Sequence, residues 1–228
     1  MKIIIYGATG MVGQGVLREC LLDPRVDGVL SVARRPGGQQ HPKLKELVRP
    51  DLTDYSGVED QLAGYDACFF TLGVSSAGMS EPDYTKVTYD LTMAAAKAIA
   101  RASPNLTFIY VSGQGTDSSE KGGSMWARVK GKTENDLIKM PFKGAYMFRP
   151  GAIQALHGIK SRTPAYRAFY ALAGWWLIPL VRFFAPNAIT TTEAIGKAMI
   201  AIAQDGAPKK LLDPKDINAA AAGSAGRG

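Results

Sequence analysis

A glycine-rich segment near the start of the chain constrains the fold more than any other feature. Gly7, Gly10 and Gly13 lie between an apolar run, Lys2–Tyr6, and an amphipathic helical pattern, Met11–Leu22. Glycines in this context allow a tight turn off a strand, close approach of the backbone to a diphosphate, and close packing of helix on sheet. The free N–H groups at the helix start then face the anion. The segment therefore predicts dinucleotide binding, with a purely structural turn as the alternative.

Apolar runs and helical patterns alternate through the first two-thirds of the chain. Because the predicted strands are apolar throughout, they indicate a parallel sheet that is covered on both faces. We therefore predict an α/β fold with a doubly wound parallel sheet of the Rossmann type. The further predicted strands are Gly28–Ala33, Leu44–Val48, Asp66–Thr71, Leu106–Ser112 and Gly144–Phe148, and the further helices are Tyr55–Ala63, Glu81–Ala102 and Met125–Met140.

The rhythm breaks after residue 151. We expect residues 1–218 to form one domain, with a small helical lobe at about 152–189 on the substrate side and a frayed tail at 219–228. The S/T-x-x-E pattern of Thr190 to Glu193 matches a capping box and predicts a last helix that ends at about Gln204. Residues 211–217 are predicted to add an edge strand.

Composition limits the partners. The chain has 228 residues, of which 46% are hydrophobic, so global disorder is excluded. Its net charge of +7 favours anionic ligands. The basic residues of 121–143 are not interleaved with aromatic residues, so no specific nucleic-acid binding is expected. With only Cys20, Cys68 and two histidines, a disulfide scaffold and a metal site are not expected either.

Two features of the sequence concern the location of the protein in the cell: its first residues and one long apolar run. The apolar run before Gly7 is too short for a signal peptide, so a cytoplasmic location is expected. Residues 168–181 form an uncharged run of 14 residues, whereas a membrane-spanning helix needs about 20. This run predicts a buried helix. A homodimer interface and a weak membrane-surface contact are the alternatives.

Two arginines at the end of the second predicted strand indicate which dinucleotide binds. A carboxylate in this region typically binds the ribose 2′-hydroxyl of NAD, but the sequence here is Ala33, Arg34, Arg35 and Pro36. Guanidinium groups suit a 2′-phosphate because they offer paired donors and a permanent charge. We therefore expect NADP(H) in preference to NAD(H). The alternative is a solvated basic loop.

Several segments together resemble the short-chain dehydrogenase/reductase superfamily, more closely its atypical, epimerase/dehydratase-like and Tat-interacting-protein-like branches. They are GATGMVG at 7–13, VKGKTE at 129–134 and FRPG at 148–151. The resemblance implies that Ser112 polarises a substrate carbonyl and that Lys130 is catalytic and holds the nicotinamide ribose. It further implies that the cofactor contacts Gly7, Thr9, Gly10, Met11, Val12, Asp51, Leu52, Leu72, Gly73, Lys130, Pro150 and Gly151.

The sequence departs from this superfamily at its acid/base residue. Trp126 stands four residues before Lys130, where the family carries tyrosine. An indole is only a hydrogen-bond donor and cannot exchange a proton as a phenol does. Tyr84 and Tyr89 open the long helix, and we expect Tyr89 to join Trp126 in the substrate pocket. Two functions remain open: an NADP-dependent oxidoreductase on a small apolar carbonyl substrate, or a non-catalytic NADP(H)-binding sensor or interaction module.

Overall fold

A parallel seven-stranded sheet forms the centre of the molecule. The computed structural model describes residues 1–159 and 189–225. The strand order in the sheet is β3-β2-β1-β4-β5-β6-β9, and every neighbouring pair is parallel. The strands are β1 Lys2–Tyr6, β2 Gly28–Ala33, β3 Leu44–Val48, β4 Ala67–Phe70, β5 Thr107–Val111, β6 Gly144–Phe148 and β9 Leu211–Leu212. This order confirms the predicted doubly wound Rossmann fold.

Helices cover both faces of the sheet and bury its apolar strands. The helices are α1 Met11–Leu22, α2 Glu81–Thr85, α3 Leu91–Ala102, α4 Met125–Lys139, α5 Thr192–Asp205 and α6 Pro214–Ala225. One core includes α1, α5 and side chains such as Ile3 and Ile5, and the other includes α3, α4 and side chains such as Ile4 and Tyr6. Alternate residues of β1 thus enter opposite cores, as the pleat of a strand requires.

The long helix expected from Glu81 to Ala102 forms in three parts. A π-helical segment, Lys86–Asp90, separates α2 from α3. Ser80 caps the start, where its hydroxyl oxygen accepts a hydrogen bond from the Asp83 amide at 3.3 Å. The π segment changes which residues face the neighbouring helix, because five residues rather than four span each of its hydrogen bonds.

Three predictions about local structure need correction. The helix expected over 55–63 is only a 3₁₀ turn, Glu59–Leu62. The residue that caps α5 is Thr191 rather than Thr190, because the Thr191 hydroxyl oxygen accepts a hydrogen bond from the Ala194 amide. The edge strand stops at Leu212, because Asp213 and Pro214 start a helix instead. That helix, α6, continues to Ala225 through residues expected to fray, and its Ile217 is fully buried in the first core.

The substrate-side region is described only in part. Strands β7 Ala152–Gln154 and β8 Ile189–Thr191 pair in parallel to form a separate two-stranded sheet. Most of the lobe expected at 152–189, including the apolar run at 168–181, lies outside the described residues, so the homodimer and membrane-surface alternatives stay predictions. Among the helices in the described ranges, none is long and apolar enough to cross a membrane.

Candidate active site

A cleft of about 570 Å³ lies at the carboxyl ends of β1, β4, β5 and β6. The strand order reverses direction between β1 and β4, and ligands of open α/β sheets bind at this point. The residues predicted from sequence that line the cleft are Gly7, Thr9, Gly10, Met11, Val12, Arg34, Leu72, Gly73, Ser112, Trp126, Lys130, Pro150 and Gly151. The fold thus gathers most of the expected site residues from six separate segments.

Two glycines fix the geometry of the loop after β1. Gly7 has a positive φ of 80°, and a Cβ atom there would lie 2.6 Å from the Leu72 amide nitrogen. A Cβ atom on Gly13 would lie 2.0 Å from the Gly7 carbonyl oxygen, so α1 can pack this closely only with glycine. No side chain caps α1, and its first turn carries no acidic residue. Its first N–H groups are therefore available to an anion at the cleft.

The cleft lining contains only some of the residues that were predicted to contact the adenosine part of the dinucleotide. Arg34 lines the cleft, whereas Arg35 does not, although both side chains are exposed. Asp51 and Leu52 also lie outside the cleft lining: Asp51 accepts hydrogen bonds from the amide and hydroxyl of Thr53, and Leu52 is buried in the second core. Arg34 is consequently the predicted cation best placed for a 2′-phosphate.

Lys130 is a second cation that lines the cleft. Its Nζ donates a hydrogen bond to the backbone carbonyl oxygen of Ser112. Burial lowers the pKa of Lys130 to about 8, while the nearby Glu134 carboxylate acts in the opposite direction. Trp126 lies one helical turn earlier on the same face, and its ring packs against Gly115. The ammonium group can thus supply a proton near neutral pH beside an aromatic wall.

The hydroxyl of Ser112 is already engaged. Its Oγ lies 2.5 Å from Glu134 Oε1 and 3.1 Å from the Phe148 carbonyl oxygen, and both of these partners are acceptors. The single hydroxyl hydrogen must go to one of them. Ser112 therefore does not present a free donor to the cleft, in contrast to the role that the family resemblance implies. Its backbone carbonyl, however, holds Lys130.

Among the described tyrosines, Tyr84 lines the cleft and Tyr89 does not. Tyr84 lines the cleft and is almost completely buried, and burial raises its pKa. Tyr89 points to a different depression beside α3, and its hydroxyl donates to Asp136 Oδ2 at 2.8 Å. A phenol with a raised pKa stays protonated, so Tyr84 can act only as a hydrogen-bond donor or acceptor near neutral pH.

Thr71, which precedes Leu72 and Gly73 at the end of β4, also lines the cleft, as the resemblance implied. Sequence reasoning missed other residues of the lining, which are Val74, Ser75, Ser76, Val111, Gly113 and Ile153. Four of them directly follow residues that were predicted at the ends of β4 and β5. The rule that ligands lie beyond the carboxyl ends of parallel strands could have indicated these residues. It selects whole loops, however, and not single positions.

Comparison with known proteins agrees with this geometry. A family described as NAD(P)H-binding matches residues 7–138, more than half of the chain. The chain belongs to this family. The match begins at the glycine loop and ends in α4, beyond Lys130 and Glu134. Dinucleotide binding, expected from the loop, is thus confirmed at the level of NAD(P)H.

Several known proteins and solved structures are similar to this chain over most of its length. The mitochondrial protein FMP52 of Candida albicans is 27% identical over 222 residues, covering 93% of this chain and 92% of that protein. The leucinostatins biosynthesis cluster protein T of Purpureocillium lilacinum is 26% identical over 255 residues, covering 100% and 91%. An oxidoreductase of the short-chain dehydrogenase/reductase family from Burkholderia thailandensis superposes with a TM-score of 0.66 at 17% identity, covering 96% and 92%. The Bordetella bronchiseptica enzyme WbmF, solved in complex with NAD+, superposes with a TM-score of 0.65 at 15% identity, covering 96% and 76%.

These findings confirm one expectation and overturn another. The resemblance to atypical short-chain dehydrogenases/reductases holds for this NAD(P)H-binding family member. The expected cytoplasmic location is contradicted, because several relatives of this chain are named as mitochondrial proteins. The error came from treating a missing amino-terminal signal as evidence of location.

Proposed function

We propose that this chain is an NADP(H)-dependent oxidoreductase that acts on a small, largely apolar carbonyl compound. The observation that carries the proposal is that Lys130 lines the same cleft as the uncapped start of α1. The same cleft can therefore bind a diphosphate and supply a proton. Val74, Trp126 and Ile153 add apolar side chains to its lining, which favours an apolar substrate.

The residues at the cleft fit a nicotinamide dinucleotide. A Cβ atom on Gly7 or Gly13 would collide with the backbone, which leaves this loop free of side chains where a diphosphate would lie. Arg34 would bind the 2′-phosphate, with Arg35 as an exposed neighbour. Pro150 and Gly151 would lie near the nicotinamide, as the family resemblance implies. These features support a preference for NADP(H) over NAD(H).

Lys130 is the proposed proton donor. When bound, the reduced nicotinamide supplies the hydride that a carbonyl carbon accepts. In the proposed reaction, Lys130 Nζ donates a hydrogen bond to the carbonyl oxygen of the substrate. It transfers a proton to that oxygen as negative charge develops there. Its pKa of about 8 suits this role, because an acid works best when its pKa is close to the working pH. Ser112 assists by holding Lys130 through its carbonyl oxygen.

A second candidate function is a non-catalytic NADP(H)-binding sensor or interaction module. Two observations favour it: an indole stands at position 126, and the Ser112 hydroxyl is bound to Glu134. Neither of these groups can exchange a proton with a substrate in the way the superfamily's tyrosine and serine do. In this case Trp126 would close the cleft over the bound cofactor.

Turnover distinguishes the two candidates. We would follow NADPH oxidation by absorbance with a panel of aldehydes, ketones and quinones, at a pH of about 8 that matches the pKa of Lys130. Wild-type turnover that is lost in Lys130→Met, and kept in Lys132→Met on the same helix, supports the oxidoreductase. Turnover that appears only after Trp126→Tyr supports the binding module instead.

Cofactor preference is tested by binding alone. The ratio of the dissociation constants of NADPH and NADH is measured by calorimetry for the wild type and for the double variant Arg34→Ala, Arg35→Ala. We expect the wild type to favour NADPH and the double variant to lose most of this preference, because the charge-assisted contact of Arg34 and the positive charge of its neighbour Arg35 are removed. Arg101→Ala, an exposed arginine away from the cleft, is the control. An unchanged ratio in the double variant would disprove the assignment.

A further inference from the structure

A buried carboxylate lies behind the proposed catalytic lysine. Glu134 of α4 has 0% of its surface exposed, and burying a charge is costly unless it is paired and hydrogen-bonded. The proposed mechanism gives this residue no task. Its position, one helical turn after Lys130, suggests a direct i,i+4 ion pair with that lysine. The structure has a different arrangement.

Both carboxylate oxygens of Glu134 are bound by other groups. Arg149, which follows β6, donates from Nε to Oε1 at 3.0 Å and from Nη2 to Oε2. The Ser112 hydroxyl, which follows β5, lies 2.5 Å from Oε1. Arg149 Nη2 also donates to Ser118 Oγ at 2.6 Å, in the loop between β5 and α4. Glu134 therefore joins α4 to the ends of two central strands.

The same strand end holds Lys130. Its Nζ donates to the carbonyl oxygen of Ser112, whose hydroxyl binds Glu134. Glu134 is thus linked to Lys130 through one intermediate residue, Ser112. The charge of Glu134 is neutralised by Arg149. The arrangement leaves the ammonium hydrogens that are not bound to Ser112 free for the cleft, whereas a direct ion pair with Glu134 would occupy one of them.

We propose that Glu134, fixed by Arg149, is a positioning residue that holds Lys130 in the cleft through Ser112 and sustains its protonated form. The inference rests on the proposed function, because it concerns the group that donates the proton there. Two nitrogens of Arg149 hold the Glu134 carboxylate in place. Its contribution is geometric through Ser112 and electrostatic through its charge.

The electrostatic part makes two variants act in opposite directions. Among the described residues, Glu134 of α4 acts on the charge of Lys130, Arg149 after β6 pairs with Glu134, and Tyr84 of α2 and Arg34 after β2 line the same cleft as Lys130. Glu134→Gln removes the negative charge and leaves Arg149 uncompensated, so the pKa of Lys130 falls. Arg149→Gln leaves Glu134 uncompensated, so the same pKa rises. We expect each change to be about one pH unit.

The experiment titrates Lys130 in the full chain without cofactor. The ¹³Cε resonance of Lys130, assigned by its absence in Lys130→Met, is followed against pH in the wild type, Glu134→Gln and Arg149→Gln. Glu120→Gln is the matched control, because it removes the same charge from an exposed residue that binds Asn135. In parallel, the alkaline limb of the pH profile of kcat for NADPH-dependent reduction should move with the Lys130 pKa.

Opposite shifts in the two variants, with no shift in the control, support the proposal. The proposal is overturned if the Lys130 pKa shifts equally or in the same direction in both variants, or if it shifts no more than in Glu120→Gln. A network with a purely structural role would not move the Lys130 pKa in opposite directions. If Glu134→Gln fails to fold, Glu134→Asp keeps the charge but withdraws the carboxylate: a lower kcat at unchanged Lys130 pKa then supports positioning, and an unchanged kcat overturns it. Absence of NADP(H) turnover in the wild type refutes the proposed function, and the apoprotein titration still decides the role of Glu134.

Discussion

Replacing Lys130 by methionine should stabilise the protein at neutral pH. Burial lowers the pKa of Lys130 from its ordinary value of 10.5 to about 8. Since one pKa unit corresponds to about 1.4 kcal/mol, keeping this ammonium charged in the folded state costs about 3 kcal/mol. Methionine removes that cost and also the hydrogen bond to the Ser112 carbonyl, which contributes about 1 kcal/mol. The expected net gain at pH 7 is about 2 kcal/mol.

The gain should depend on pH with a definite sign. Between pH 8 and 10.5 the unfolded chain binds a proton at Lys130 that the folded protein has lost. The stability of the wild type therefore rises with pH through this window. The advantage of Lys130→Met should be complete at pH 7, should fall as the pH rises from about 8 to 10.5, and should be absent above about pH 10.5, where the lysine becomes neutral in both states.

Urea denaturation of the apoprotein measures both effects. The free energy of unfolding is determined at pH 7 and pH 10 for the wild type, Lys130→Met and Lys132→Met. Lys132 lies on the same helix but pairs with Asp136 at the surface, so its replacement should change stability by less than about 1 kcal/mol at either pH. A Lys130→Met protein that is less stable than the wild type at pH 7 would refute the pKa argument. It would also remove the reason for regarding Lys130 as an acid matched to neutral pH.

Three further outcomes are expected. Gly131→Ala should lower the free energy of unfolding by at least about 2 kcal/mol in urea denaturation, because its Cβ would lie 1.8 Å from the Asp117 carbonyl oxygen and the backbone must move. Tyr84→Phe should lower kcat of any NADPH-dependent reduction by about tenfold, the effect of one lost hydrogen bond to substrate, and equal kcat values would remove Tyr84 from the mechanism. Tyr89→Phe should keep kcat but lose about 1 kcal/mol of stability with its bond to Asp136.

The sheet and the glycine loop could be predicted from local patterns. The bounds of β1, β2 and β6 agree with the apolar runs, because a strand buried on both faces needs an uninterrupted apolar segment, and Gly or Pro limits most of these runs. The bounds of the edge strand β3 also agree, although two of its five residues are charged and exposed. The loop after β1 could be predicted because its glycines act on the backbone within a few residues. Helix ends were harder: Thr190, Thr191 and Thr192 offer equivalent hydroxyls, and only the geometry of the chain entering α5 selects Thr191 as the cap.

The sequence by itself thus determined the fold class, the place of the dinucleotide loop and the presence of Lys130 near it. Only the tertiary structure decided that Tyr84 rather than Tyr89 reaches the cleft, and that Glu134 binds Ser112 and Arg149 instead of Lys130. The physical reason is that periodicity shows which residues share a helix face, but not what that face meets. The π segment, which begins after Tyr84 and contains Tyr89, changes which residues of the helix face its neighbours. The partner of a buried carboxylate depends on strand ends that are distant in sequence.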